Sequence, residues 1–418
     1  MFDVFRNSWA LLFGILLLMI GNGLHGTLLG VRGDLEGFST AELSIVMSAY
    51  FAGFLGGSRA APLMIKRVGH IRSFAALGSM VSAALILFPV VIDPIAWVLL
   101  RAVIGFCLSA VYVTAESWLN NSTTNENRGK TLSIYLVVQL MGVVTAQALL
   151  VLGDPAGFTL FIVMSVLVSV SFAPILLTVT PTPPFEATKP MGLMEVFRVS
   201  PLGSVGMFVL GGIYSGMFGM SAIYATAQGF SLGQISAFVA SFYVGGMLMQ
   251  YPIGWLSDRM DRRVLIAGVC AVGAAAGLFG AILGGSFTLV LAAAFIFGGL
   301  ANPLYALFLA YTNDFLEYEQ MAAAGGRLLF INGIGAILGP IVIGAMIDVA
   351  GAAGFFIFLA ALMAFMAVYA VYRMTVRPAP TSTSTETYAP VLPQASPVVV
   401  EAAQEYYAEA VEESEAAP

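Results

Sequence analysis

Ionisable and amide side chains are rare in this chain, and several sit inside long apolar runs where burying them costs free energy. A charge at the centre of a membrane helix costs about 2.5–3.5 kcal/mol on insertion scales, so each such residue calls for a reason. Arg101 and Tyr112 lie in one apolar run, 11 residues apart. At ~3.6 residues per turn that spacing leaves them about 20° apart, with Gly105 and Leu108 nearly in line. A polar stripe on an apolar helix points to a water-filled cavity; the alternative is an arginine that snorkels to the interface. Asn22 and His25 stand one turn apart in another run. His25 is an intramembrane group whose unperturbed titration falls near neutral pH. It is a candidate for solute or proton binding, against the alternative of a histidine simply hydrogen-bonded within the bundle. Tyr214, Ser221 and Gln228 recur every seven residues and are expected on one helix face. Asn302 and Tyr305 flank Pro303, which can break a helix and free carbonyls at a cavity. Amides and aromatics of this kind suit a neutral or amphipathic organic solute; packing aromatics are the alternative.

A second set lies where apolar runs end: Lys66, Arg67, Glu116, Arg128, Asp258, Arg259, Arg262 and Asp314. Glu116 reads either as a carboxyl that binds and releases a proton or as a gating ion pair with Lys66, Arg67 or Arg128. Asp314 invites the same reading with Arg259. Cys107 and Cys270 are far apart in apolar runs and read as packing residues. No metal-ligand spacing, nucleotide loop or nucleophile–base pair stands out, so an enzyme is disfavoured and no cofactor or metal is called for.

The elements that must position these groups follow from composition. The 418 residues are 59% hydrophobic and 10% charged, with mean hydropathy +0.92, against roughly half apolar and a quarter charged in soluble domains. Spanning the hydrocarbon takes about 20 apolar residues as helix. Twelve runs qualify, near 9–30, 41–65, 72–92, 95–118, 130–152, 157–179, 201–224, 234–256, 264–284, 287–311, 326–348 and 352–373. The fold class expected is an all-α polytopic membrane protein with two six-helix halves. Residues 1–180 form the first half, 181–200 a Pro-rich cytoplasmic linker, 201–377 the second half and 378–418 a disordered acidic tail. Met1 to Ser8 includes Asp3 and Arg6, unlike a cleavable signal, so the first helix is expected to stay in the membrane.

Of 17 Lys and Arg, Arg32 alone falls in a loop on one side, Arg59 and Arg101 lie within helices, and the rest gather on the other side. Both termini are therefore expected in the cytoplasm of a multi-pass inner-membrane protein. An internal repeat supports the halves. GFSTAELSIVMSAYFAGFLGG from Gly37 matches GFSLGQISAFVASFYVGGMLM from Gly229, 192 residues on, and the register runs gapless to Lys66 opposite Asp258. Such doubling marks carriers whose halves rock about a central site.

The loop Gly254, Asp258, Arg259, Arg262, Arg263 resembles motif A of the major facilitator superfamily, and the likeness extends over residues 9–375. Its first-half copy, Pro62 to His70, departs with Lys66 in the acid's place. Arg101 to Gly105 is similar to the family's motif B, in which an intramembrane arginine is linked to proton coupling. The ending Ala115, Glu116, Ser117, Trp118, Leu119, Asn120 resembles the YcaD-like branch. A Gly-Pro antiporter motif is missing from the fifth helix, though Gly339-Pro340 stands in the eleventh, which tilts the reading from drug export toward import. The resemblance implies a proton-coupled carrier of a small organic solute, a symporter working by alternating access. Its partners would be the solute, the proton and the lipid bilayer, with no nucleic acid, and the chain would act as a monomer. A proton antiporter for drugs or metabolites, and a non-transporting sensor with the same fold, are the alternatives.

Overall fold

The computed structural model describes residues 2–121, 125–176 and 191–377. The tail from 378, the first half of the expected linker (181–190) and the Arg128 side chain lie outside the described residues. The first half comprises α1 (Phe2–Leu35), α2 (Thr40–Val68), α3 (His70–Leu87), α4 (Pro94–Asn121), α5 (Asn125–Leu150) and α6 (Thr159–Leu176). A short α7 (Leu193–Val199) lies within the expected linker. The seventh span is built from α8 (Pro201–Ser215), a π-helical turn (Gly216–Met220) and α9 (Ser221–Ala227). Then come α10 (Leu232–Ser257) and α11 (Arg262–Ile282). The tenth span is α12 (Phe287–Ala301) followed by α13 (Leu304–Asn313), and α14 (Tyr318–Ala350) and α15 (Ala353–Val376) complete the bundle.

Among the described residues, nine helices are long and apolar enough to cross a membrane, and two shorter apolar ones, Ile134–Leu150 and Thr159–Pro174, join them. The twelfth is α2, whose hydropathy is lowered by Glu42, Arg59, Lys66 and Arg67. Each of the twelve expected runs overlaps one span. With an even count, both ends of the bundle lie on one face, called here the terminal face.

The repeat is legible in backbone detail. Gly37 and Gly229 both hold positive φ, 79° and 71°, a conformation glycine adopts without a Cβ clash. Two residues on, Ser39 and Ser231 each form a capping box, with Glu42 and Gln234 respectively, so both second spans start by the same device. Gly53 of α2 and Gly245 of α10 also correspond. A Cβ at Gly53 would collide with the Ala102 carbonyl of α4, and one at Gly245 with the Phe295 carbonyl of α12. Small residues thus bring the second and fourth spans of each half to backbone contact, the means by which helices associate where lipid competes for apolar surface.

The halves meet along α2 and α14, where Ser48 Oγ donates to the Ile337 carbonyl at 2.5 Å and the Arg59 guanidinium lies 3.9 Å over the Phe330 ring. Away from the terminal face they meet again where Gly30 of α1 abuts Ala222 of α9: a Cβ there would lie 3.0 Å from the alanine's.

Candidate functional site

Four of the sequence candidates converge where α1 faces α4. Asn22 donates through Nδ2 to the Tyr112 hydroxyl at 3.1 Å. One turn along, an Arg101 NH donates to His25 Nδ1 at 2.8 Å. Guanidinium has no acceptor, so His25 accepts at Nδ1 and, being neutral, carries its proton on Nε2. Arg101 starts seven residues into α4 and is 4% exposed. It turns inward instead of snorkelling. A further NH of Arg101 meets Met47 Sδ at 3.3 Å, and its guanidinium lies 4.7 Å from the centre of the Tyr50 ring. The 11-residue spacing of Arg101 and Tyr112 delivers both to α1, as the helical arithmetic requires.

Beside this cluster a narrow cavity opens between the halves, about 50 Å³ by the space open to a water-sized sphere, walled by α2, the seventh span and α14. Tyr50, Phe51, Phe54, Tyr214 and Phe218 supply aromatic wall, and Ser58 and Asn332 polar edges. Phe54 sits 6.1 Å from the Tyr112 ring. Tyr214, Phe218 and Tyr243 stack in sequence, with centroids 5.8 and 4.7 Å apart. Offset stacks of this kind make flat, fairly rigid surfaces for an apolar body.

The tenth span breaks at Asn302–Pro303, as the proline leads one to expect. Tyr214 donates to the Ala301 and Asn302 carbonyls at 3.2 and 2.9 Å, capping the break. Asn302 itself is a correction to the cavity reading. Its amide donates to the Gly298 carbonyl at 2.8 Å and the Phe242 carbonyl at 3.3 Å, so it ties α12 to α10. Tyr305 is buried with its hydroxyl unpartnered. Tyr214, Ser221 and Gln228 do not share a face. The π-helical turn between the first two inserts about one extra residue, rotating α9 by ~100° relative to α8. Gln228 instead bonds the Tyr224 hydroxyl at 3.2 Å.

At the terminal face the two halves differ. Arg262 is buried, pairs with Asp314, and lies 3.8 Å from Asp258. It also bonds Ser257 Oγ at 3.1 Å. Asp314 thus pairs with Arg262, where the sequence pointed to Arg259. Arg259 is exposed and lies over the Trp255 ring at 4.3 Å. Hydrogen bonds from Arg263 hold the neighbouring Asp261 carboxyl below the usual carboxylate range. In the first half, His70 occupies the position corresponding to Arg262 and meets Ser117 Oγ at 3.2 Å. Glu116 is buried and accepts from the Tyr135 hydroxyl at 2.6 Å, whereas Lys66 and Arg67 are exposed and, among the described residues, form no ion pair with it.

Tyr50, Met47, Phe54, Phe218 and Tyr135 are not singled out by the sequence. Tyr50 and Phe54 are an i, i+4 aromatic pair inside the repeated segment, a signal that could have placed them together. Nothing in the spacing of Tyr135 links it to Glu116.

The comparisons with known proteins bear on the family and the fold. The model of the Major Facilitator Superfamily matches residues 8–239 and 205–403. An uncharacterized MFS-type transporter, YcaD of Escherichia fergusonii, is 26% identical over 341 residues, covering 80% of this chain and 87% of its own. The solved nucleoside transporter NupG superposes with TM-score 0.72 at 14% identity, over 88% of this chain and 99% of its own. A bacterial homolog of the human lysosomal transporter Spinster gives 0.68 at 14% identity, over 97% and 98%. At such identity the structural likeness speaks for the fold alone. The family matches, however, run from residue 8 to residue 403 and take in both repeated halves; on that ground the chain belongs to the Major Facilitator Superfamily and is a membrane transporter, not an enzyme.

Proposed function

We propose that the chain moves a small organic solute across the cytoplasmic membrane by alternating access, coupled to protons, with both termini in the cytoplasm. The observation that carries this reading is the buried pair His25–Arg101 next to an aromatic cavity between the two halves. His25 can hold the arginine only while Nδ1 is free. Protonation at Nδ1 and the Arg101 contact exclude one another, so a proton arriving there releases the guanidinium toward its surroundings. That is the differential interaction a coupled carrier requires, since a ligand shifts a conformational equilibrium only through unequal affinity for its states.

In this reading Asn22, Tyr112, Tyr214 and Tyr305 contact solute as the cavity opens. Lys66, Arg67, Glu116, Arg128, Asp258, Arg259, Arg262 and Asp314 form the cytoplasmic gate. The close approach of Gly30 to Ala222 is consistent with a state shut toward the outside. The excess of Lys and Arg on the terminal face supports the orientation.

Purified protein in proteoliposomes, supplied with a metabolite panel under an imposed pH gradient, tests the proposal. Wild type is expected to accumulate at least one solute in response to the gradient. Arg101→Gln should insert and fold yet lose gradient-driven accumulation. Wild-type flux in that variant would remove Arg101 from the mechanism.

A further inference from the structure

Four arginines are buried among the described residues: Arg32, Arg101, Arg262 and Arg263. Three have a carboxylate at hand. Arg32 lies 2.6 Å from Glu36, Arg262 pairs with Asp314, and Arg263 lies 2.6 Å from Asp261. Arg101, the one nearest the cavity, has none within ion-pair distance among the described residues. Its contacts are a neutral imidazole, a thioether and an aromatic face. Glu116, on the same helix, is 15 residues away, about 22 Å along the axis at ~1.5 Å per residue, and is bonded to Tyr135.

The surroundings of Arg101 also hold polar atoms with nothing to bond. Arg101 Nε, His25 Nε2 and the Tyr50 hydroxyl are all buried and unpartnered. Two of these are N–H donors and the third is a hydroxyl able to donate. A buried cation with spare donors and no acid is a site built for an anion that arrives from elsewhere. Tyr50 links it to the cavity: it lines the wall, and its ring carries the guanidinium.

We infer that the transported solute is an amphipathic monocarboxylate, whose carboxylate is received by Arg101 and His25 and whose apolar body lies against Tyr50, Phe54 and Phe218. This rests on the transport reading above and narrows it. A guanidinium fork matches a carboxylate with two parallel N–H···O bonds. One negative charge neutralises the single buried cation, whereas a phosphate dianion would leave an unpaired charge between aromatic walls. The walls offer little to a sugar, which needs many polar partners, and an amine would meet like charge.

The test compares matched pairs on the purified full-length protein: benzoate with benzamide, indole-3-acetate with indole-3-acetamide, and hexanoate with hexanamide. Thermal stabilisation and calorimetric affinity are the readouts. At least one acid is expected to bind tenfold or more tighter than its amide, and Arg101→Gln should erase that preference while Arg101→Lys keeps part of it. Amides binding as well as acids in all three wild-type pairs would overturn the inference, as would an undiminished acid preference in Arg101→Gln. The wild-type comparison stands even if the variants fail to fold. Proteoliposome flux separates the two proposals. Accumulation of neutral solutes alone leaves transport standing and removes the carboxylate. Acid-selective binding with no gradient-driven flux of any solute keeps the anion site and removes coupled transport.

Discussion

At the scale of single residues, the two halves use unlike chemistry at equivalent places. Arg262 joins Asp314, Asp258 and Ser257 into one buried network, while His70, 192 residues earlier, has the neutral hydroxyl of Ser117. Removing one member of a buried ion pair leaves the other charge desolvated, at about 3–5 kcal/mol. Arg262→Ala is therefore expected to lower the melting temperature of the purified protein markedly, and Arg262→Lys to recover part of the loss. The same substitution at its counterpart, His70→Ala, removes a neutral hydrogen bond, about 0.5–1.5 kcal/mol, and the packing of one buried ring, but strands no charge, and is expected to cost less. Equal destabilisation by the two alanine variants would contradict the asymmetry. Part of this was open to sequence reading, because Lys66 opposite Asp258 already announced a degenerate first copy. The partner of Asp314 was not, since Arg259, Arg262 and Arg263 are equally near in sequence and only helix rotation selects among them.

At the scale of elements, hydropathy located every span because lipid leaves a helix few ways to satisfy its backbone. What hydropathy cannot register is winding. The π-helical turn Gly216–Met220 contains no residue that demands it, yet it separates Tyr214 from Ser221 and brings Tyr224 to stack on Phe355 at 4.8 Å. Deleting Gly219 should restore a regular α-helix and rotate α9 by about 100°. The deleted protein is expected to reach the membrane but to lose transport, and the Tyr224–Phe355 stack with it. Wild-type flux in the deletion would show that the irregular turn is dispensable. Asn302 departs from its sequence expectation for a related reason: an amide beside a proline looks like a cavity group until the neighbouring helix is seen to take up its hydrogens.

At the scale of the whole molecule, two homologous bundles touch at α2 and α14 and at the Gly30–Ala222 approach. If transport requires these halves to separate on one face, a covalent tie there must stop it. Gly30→Cys with Ala222→Cys is expected to cross-link under mild oxidation, the Cβ atoms being close enough for a disulfide after slight adjustment, and to abolish flux until reductant is added. Flux that persists in the cross-linked protein would mean that the outer contact never opens. The existence of two halves was evident from the gapless repeat, whereas the manner of their meeting was not, because Gly30 and Ala222 carry no pattern that one residue imposes on the other.

The phenol of Tyr214 sits two residues ahead of the π-helical turn in the seventh span and caps the break in the tenth. Each interruption alone would be an independent hinge. A shared hydroxyl makes them cogs on one shaft: when one span flexes, the carbonyls of the other must move with it or give up their donor. The two helix breaks of the second half are therefore expected to flex together, kept in step by a substituent as small as one oxygen atom.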